Sequence, residues 1–272
     1  MVFNARHINL VVRLAGTYTL VHTTDGFEGL EHKRMGTTAE LRQNGLVILY
    51  DNSILNVMEP QLFDAAWLRA NGYHDGTSRG RNQAHFLSYA NHEMVLRKFM
   101  RGGLIAKINP DLFVRTGKDR NRAMREFKLL DWMNSNGLPV PRPVAARFTT
   151  LGPFYRAAII TERIPGARPL EDILREMPVS STIWFAIGAA VKQLHNHHVF
   201  HSDLNCRNIL IDAESTVWLI DFDKCDRRPP GWWMSRNLSR LRRSLRKESR
   251  SPFGLNWGEQ DWTDFLKGYA TV

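Results

Sequence analysis

The chain has 272 residues, 43% of them hydrophobic, a formal net charge of +10 at pH 7 and only two cysteines. That length holds one large domain or two lobes with a sizeable core, and the composition excludes a low-complexity or disordered chain. The positive balance points to anionic partners such as nucleotide, nucleic acid or an acidic membrane surface, and the cysteines, Cys206 and Cys225, read as free thiols in a reducing compartment.

The most apolar early run, 8–21, is interrupted by Arg13 and lacks a small-residue cleavage site, so it predicts neither a signal peptide nor a membrane span, and a cytoplasmic location follows by default. Residues 1–34 show little periodicity and read as a dispensable extension ahead of a functional start at Met35. From Leu46 the run LVILYD predicts a strand. Pro60 then opens a helical segment over 60–72, with Pro in its first turn and Gly at its end.

Residues 74–103 read as strand, glycine-bearing turn (76–80), strand (84–89), a turn at Asn91 and His92, and strand (93–99). Gly76 and Gly80, with Ser, Thr and Arg around them, would let backbone N–H groups approach phosphates. The same glycines also suit a plain hairpin. The following strand should present a basic residue to the α- and β-phosphates, and Arg97 and Lys98 compete for that place. Alternation puts the two on opposite faces, and a slip of one residue exchanges them. Lys98 gives the literal match to the V-A-I-K pattern as VLRK and is the preferred candidate.

The segment 119–136 has a helical stripe of Ala123, Phe127, Leu130 and Asn134, stopped by Gly137 and Pro139. Glu126, on its middle turn, is placed to pair with the strand cation, with a surface glutamate as the plainer alternative. Two more strands follow over 139–148 and 154–164, the second ending in 161–166, which includes Glu162 and where Pro165 and Gly166 suit a hinge whose backbone would hold the adenine edge. A short helix near 170–177 and a longer apolar one from Ser180 to about His198 follow. His195, His197, His198 and His201 sit at a helix end without a cysteine or carboxylate set, which favours capping and core contacts over zinc.

The sequence HSDLNCRNILIDAESTVWLID, 201–221, carries the chemistry. Asn208 lies five residues after Asp203, and Asp221 thirteen residues after Asn208. Two short β-prone runs between them, split at Ala213, Glu214 and Ser215, predict a hairpin with Asn208 and Asp221 at one end of the ribbon. Magnesium prefers oxygen ligands, so one Asn and one Asp beside nucleotide phosphates suffice. Asp203 would orient an acceptor hydroxyl and take its proton, and Arg207 would lie against the γ-phosphate. The order and spacing are those of a kinase catalytic loop followed by its metal-binding aspartate. The tail adds Trp232, Trp233 and a basic helix with Leu238, Leu241 and Leu245 at helical spacing. That stripe reads as core packing, while Arg240, Arg242, Arg243, Arg246 and Lys247 form a cationic patch suited to a phosphorylated lipid or anionic leaflet.

The segments VLRKFMRGGL, REFKLLDWMNSNGLPVPRPVAARF, ERIPGARPL, HSDLNCRNILID and VWLIDFDKC resemble the 3-deoxy-D-manno-octulosonic acid (Kdo) kinase family of lipopolysaccharide core assembly, from about Leu41 to near the C-terminus. The resemblance implies an α+β, two-lobed protein-kinase-like fold. An extension at 1–34 precedes an N-lobe over 35–162, with an antiparallel sheet and one long helix. A mainly helical C-lobe over 163–272 carries the catalytic-loop hairpin. It further implies ATP and Mg2+ as reactants, Kdo-lipid A as acceptor at the 4-hydroxyl, a peripheral place on the cytoplasmic side of the inner membrane, and Asp203 as the catalytic aspartate. Related sequences keep arginine where this chain has Arg97. Ser202 replaces the arginine of H-R-D, DFD replaces D-F-G and no A-P-E follows, which argues against a protein substrate. A kinase of a soluble alcohol such as an aminoglycoside or choline is the alternative enzyme, although its cationic acceptors would call for acidic sites. A basic nucleic-acid-binding protein is the alternative from another class, supported only by the arginine-rich helix, and no nucleic-acid partner is expected.

Overall fold

Strand-forming runs build the first half of the chain into an antiparallel sheet. The computed structural model describes residues 38–78, 84–100, 111–114, 122–252 and 254–271, together with the backbone of 12–14 and 17–19. Strands β1 (Val12–Leu14) and β2 (Thr17–Thr19) pair as a small ribbon. Met35 lies outside the described residues.

The main sheet takes β3 (Thr38–Gln43), β4 (Leu46–Asp51), β5 (His74–Thr77), β6 (Ala84–Tyr89), β7 (His92–Lys98), the short β8 (Phe113–Val114), β9 (Pro143–Leu151) and β10 (Phe154–Glu162). Their order is β3-β4-β9-β10-β7-β6-β5, with β8 on the end of β10. The helical segment expected over 60–72 is split into a 3-10 turn at Pro60–Phe63 and α1 (Ala65–Ala70). Asp64 breaks it, because its extended backbone and a side chain accepting from Ala66 N (2.8 Å) make it the N-cap of α1. Leu62, Phe63 and Leu68 from this stretch pack on Ile48, Leu87, Met94, Leu96 and Ile160 to cover one face of the sheet.

The other face carries α2 (Arg122–Ser135). Its buried stripe ends at Met133, and Asn134, expected on that stripe, is exposed. The helix stops in a paired C-terminal motif, with Leu138 N–H donating to Met133 O (3.1 Å) and Gly137 N–H to Asn134 O (3.0 Å). Gly137 takes φ +71°, the left-handed conformation that this motif requires. Phe127, Leu130 and Met133 of α2 join Phe148, Ala157 and Ile159 of the sheet in a core that continues into the second half.

That second half is mainly helical: α3 (Leu170–Glu176), α4 (Ser181–Asn196), α5 (Trp233–Ser249) and α6 (Glu259–Thr271). A three-stranded sheet of β11 (Arg168–Pro169), β13 (Ile209–Ile211) and β14 (Val217–Leu219) and a pair of β12 (Val199–Phe200) with β15 (Asp226–Arg227) complete it. Trp184, Ile187, Val191 and Leu194 bury the inner face of α4, while Phe185 is exposed. Helices α4 and α6 touch backbone to backbone where Gly188 meets Phe265 and Gly268 meets Phe185; a Cβ at either glycine would collide with the opposing main chain. On α5, Leu241 and Leu245 are fully buried and Leu238 packs against the core, so the leucine stripe is core. Among the described residues no helix is long and apolar enough to cross a membrane.

Candidate active site

The β13–β14 ribbon sets the site. Ile209 pairs with Leu219, and Ile220 N–H donates to Asn208 O (3.0 Å), so Asn208 and Asp221 emerge at the same end. Asp221 sits at φ +65°, a conformation that a non-glycine residue adopts only when its surroundings hold it. Asn208 is buried and donates from Nδ2 to Asp203 O (2.9 Å), leaving its amide oxygen as an acceptor. Asp221 Oδ1 is buried and receives no hydrogen bond among the described residues; its nearest charge is Arg97 Nη1 at 3.2 Å. One amide oxygen and one carboxylate, both short of donors, suit a hard divalent cation that keeps much of its own water. Among the described residues no group of three or more His, Cys, Asp or Glu side chains is arranged to hold a metal.

The 201–208 loop is fixed from behind. His201 is fully buried, and burial holds its ring below the usual histidine range. Its Nδ1 accepts from Asp203 N–H (3.2 Å), so the neutral ring carries its proton on Nε2 and donates to Ile220 O (3.0 Å). One imidazole thereby ties the loop to the end of β14. Asn237 of α5, also buried, accepts from His201 N–H (3.2 Å) and donates to His201 O (2.8 Å). Ser202 Oγ donates to Asp223 O (2.7 Å), so the residue standing in place of the H-R-D arginine joins the loop to the DFD segment. His195 bonds Tyr269 Oη (2.7 Å) and Asn237 Oδ1 (3.4 Å), and His197 bonds Gln193 O (2.9 Å), so these two histidines serve packing and capping. Asp203 itself is half exposed at the mouth of the loop.

Arg97 on β7 meets Glu126 of α2 and reaches Asp221. Burial opposes the guanidinium charge, but Glu126 and Asp221 outweigh it and hold Arg97 above the ordinary arginine value. Burial also pushes the Glu126 carboxyl up, and Arg97 pulls it back only in part. Lys98, the preferred candidate from sequence, stands elsewhere. It shares parity with Met94 and Leu96, which point into the cluster on the far face of the sheet, and it ends exposed there. Arg207 also departs from expectation. In the 3-10 turn Cys206–Asn208 neighbouring side chains point about a third of a turn apart, so with Asn208 turned inward Arg207 faces α3. There it pairs with the buried Glu171 and lies 3.5 Å from Glu248.

Ser78 and Ala84 close the ends of the β5–β6 connection, with Ser78 N–H donating to Ala84 O (2.8 Å), and Ala84 lies opposite Arg97 on the neighbouring strand. That connection therefore springs from the Arg97 end of the sheet. Gly76 takes φ +132° at a bulge in β5, a backbone that glycine favours, and Gly80 lies outside the described residues. At Glu162 two N–H groups are committed: its own to Arg142 O (2.8 Å), and that of Arg163 to Glu93 O (2.9 Å).

Two contacts had no local signal. Arg122, on the first turn of α2, donates from Nε to Asp223 Oδ1 (2.6 Å), which gives the third residue of DFD the task of holding α2 to the ribbon. Arg240 of α5 donates from Nε to Asp203 Oδ1 (2.9 Å) and again from Nη2. The cysteines are both buried free thiols, pushed up to about 11 at Cys206 and about 12 at Cys225 by burial, and are unreactive in that form.

A buried cation beside a lone carboxylate oxygen, and a half-exposed carboxylate a few residues from an inward-turned amide, suit the handling of a phosphoryl group and a hydroxyl. Comparison with known proteins leads to the same class, the kinases. The chain belongs to the lipopolysaccharide kinase (Kdo/WaaP) family, whose model matches residues 65–269. It is 38% identical over 222 residues to a 3-deoxy-D-manno-octulosonic acid kinase of Photobacterium profundum, covering 82% of this chain and 94% of the relative. Proteins of the same description from Vibrio parahaemolyticus and Actinobacillus succinogenes are 37% and 36% identical, over 82% and 85% of this chain and 93% and 98% of their own lengths.

Proposed function

We propose that this protein transfers the γ-phosphoryl group of ATP to the 4-hydroxyl of the Kdo sugar on Kdo-lipid A. Membership of the Kdo/WaaP kinase family and the likeness to Kdo kinases over most of the chain support the reading. The sheet with α2 then corresponds to a nucleotide-binding lobe over 35–162 and the helical half to a second lobe over 163–272. The observation that carries the mechanism is the common end of the β13–β14 ribbon, where Asn208 and Asp221 meet beside Arg97.

In this reading Asn208 and Asp221 would hold Mg2+, which when bound neutralises charge on the nucleotide phosphates. Arg97 steers the phosphates and Glu126 positions Arg97. Asp203 accepts the proton of the acceptor hydroxyl as the new O–P bond forms and the bond from the γ-phosphorus to its bridging oxygen breaks, releasing ADP. With the N–H groups of Glu162 and Arg163 committed within the sheet, an adenine edge would rest on the remaining polar groups of that connection. A cavity beside Asp203 is lined by Arg207, Arg240, Arg243 and Lys247, which favours an anionic acceptor over the cationic aminoglycosides and choline. Peripheral attachment to the cytoplasmic side of the inner membrane fits Trp232, 73% exposed at the start of α5 with the Arg236 guanidinium 5.4 Å from its ring centre.

Incubation with ATP, Mg2+ and Kdo-lipid A, followed by mass spectrometry of the lipid, tests the assignment. One added phosphate on the Kdo residue is expected. An unmodified acceptor, or phosphate on the lipid A moiety, would overturn it.

A further inference from the structure

The cavity beside Asp203, about 290 Å³ in volume, lies between the catalytic-loop turn and α5. Its walls set four cations, Arg207, Arg240, Arg243 and Lys247, against two carboxylates, Asp203 and Glu248. The last three cations follow an i, i+3, i+7 pattern, so one face of α5 presents them together. Arg207 is spent on Glu171. Arg243 has no carboxylate partner among the described residues, and Lys247 comes only within 3.8 Å of Glu248.

Arg240 differs from both. Two of its N–H groups converge on a single oxygen, Oδ1 of Asp203. A carboxylate covered in this way cannot receive an acceptor hydroxyl on that oxygen without displacing the guanidinium. The pair is half exposed on both sides, at 49% and 47%, so it is a weak contact that a better partner would displace. The partner an arginine fork prefers is another carboxylate.

We propose that Arg240 reads the acid group of the acceptor. When an acidic sugar enters, its own carboxylate takes the Arg240 guanidinium from Asp203, Arg243 and Lys247 complete the anion seat, and Asp203 is uncovered for the hydroxyl. A neutral sugar offers no carboxylate in exchange, so it meets Asp203 with only Oδ2 open and with its charge still shared with Arg240, a weaker proton acceptor. The seat therefore couples recognition of an acid to exposure of the proton acceptor. This inference rests on the reading of Asp203 as the group that meets the acceptor hydroxyl.

The test compares Kdo-lipid A with the same acceptor after reduction of its sugar carboxylate to the primary alcohol, using the unaltered protein, Arg240→Ala, Arg240→Lys and Arg243→Ala. Arg240 is exposed and outside the core, so its variants fold. Arg240→Ala should raise the KM for the acid acceptor by about 30-fold, the loss expected for a charge-assisted pair, and leave the KM for ATP unchanged. Preference for the acid over the reduced acceptor should collapse to within about 3-fold of unity in that variant, since only Arg243 and Lys247 then sense the charge. ATP hydrolysis without any acceptor should rise, because Asp203 is uncovered for water. Arg240→Lys should restore the preference only partly, having the charge without the fork, and Arg243→Ala should weaken the acid acceptor less than Arg240→Ala does. Retention of the full acid preference in Arg240→Ala, or equal loss of both acceptors, overturns the acceptor seat while leaving the kinase reading standing. Absence of transfer to either acceptor by the unaltered protein overturns both.

Discussion

The two sides of Asp221 are built on opposite plans. Toward the sheet, Arg97, Glu126 and Asp221 form a part-buried charge cluster in which Glu126 is only 3% exposed and Arg97 stands between the two carboxylates. Toward α5, Asp203 and Arg240 are half exposed and open onto a cavity. Burying charge is costly unless it is paired, so the first cluster must be complete before ligand arrives. An exposed ion pair adds little stability and is easily exchanged. The contrast suits a nucleotide side that is set in advance and an acceptor side that rearranges on binding.

The largest expected effect falls on the exposed side. Asp203→Ala should lower kcat for Kdo-lipid A by about 10³-fold or more while leaving thermal stability nearly unchanged, because general-base groups contribute much to rate and exposed carboxylates little to folding. A comparable loss of stability in that variant would erase the distinction between the two sides.

Arg97→Ala should act on both folding and activity. It leaves Glu126 and Asp221 uncompensated beside a core, a loss of about 3–5 kcal/mol in denaturant unfolding together with weakened ATP binding. Lys98→Ala, on the far face, should change stability by less than about 0.5 kcal/mol. Equal effects from the two substitutions would show that the strand register has been misassigned.

Asn237→Ala probes the support behind the loop. It strips partners from His201 N–H and O, both buried, and should cost about 2–4 kcal/mol while lowering kcat, since His201 Nδ1 accepts the hydrogen bond from Asp203 N–H. Hydrogen exchange at 201–208 should rise in this variant, and unchanged protection there would contradict the role assigned to Asn237.

Acid should loosen the same support. Burial lowers His195 from 6.5 to about 4 and also depresses His201. A depressed folded-state value means that the unfolded chain binds more protons between about pH 6.5 and 4. The stability due to neutral His195 is therefore complete above 6.5 and is lost as the pH falls toward 4, on the order of 2–3 kcal/mol. Unfolding followed across that window should show the loss, with 201–208 opening before the sheet. Flat stability between pH 6.5 and 4 would contradict the neutral assignment.

What sequence made legible was local. Strand-forming runs between turns located β6, β7, β9 and β10, the turn at 213–215 located the β13–β14 ribbon, and Gly137 marked the end of α2. The spacing of Asp203, Asn208 and Asp221 fixed the common ribbon end because a hairpin translates spacing directly into position. Side-chain partners across the fold were not legible. Arg207 meets Glu171, 36 positions away, Arg240 meets Asp203, 37 away, and Arg122 meets Asp223, 101 away. No periodicity encodes such distances; they arise from how α2, α3 and α5 dock. The choice between Arg97 and Lys98 stayed open for a related reason, since alternation shows that two neighbours differ in face but not which face meets α2.

In the proposed mechanism Asn208 and Asp221 would hold one divalent cation at the ribbon end, with Asp203 facing the acceptor. Anomalous diffraction from crystals grown with Mn2+ and a non-hydrolysable ATP analogue tests it most directly. A manganese peak is expected within coordination distance of Asn208 Oδ1 and an Asp221 carboxylate oxygen, with the terminal phosphate between that ion and Asp203. A nucleotide-bound manganese peak away from both side chains would contradict it.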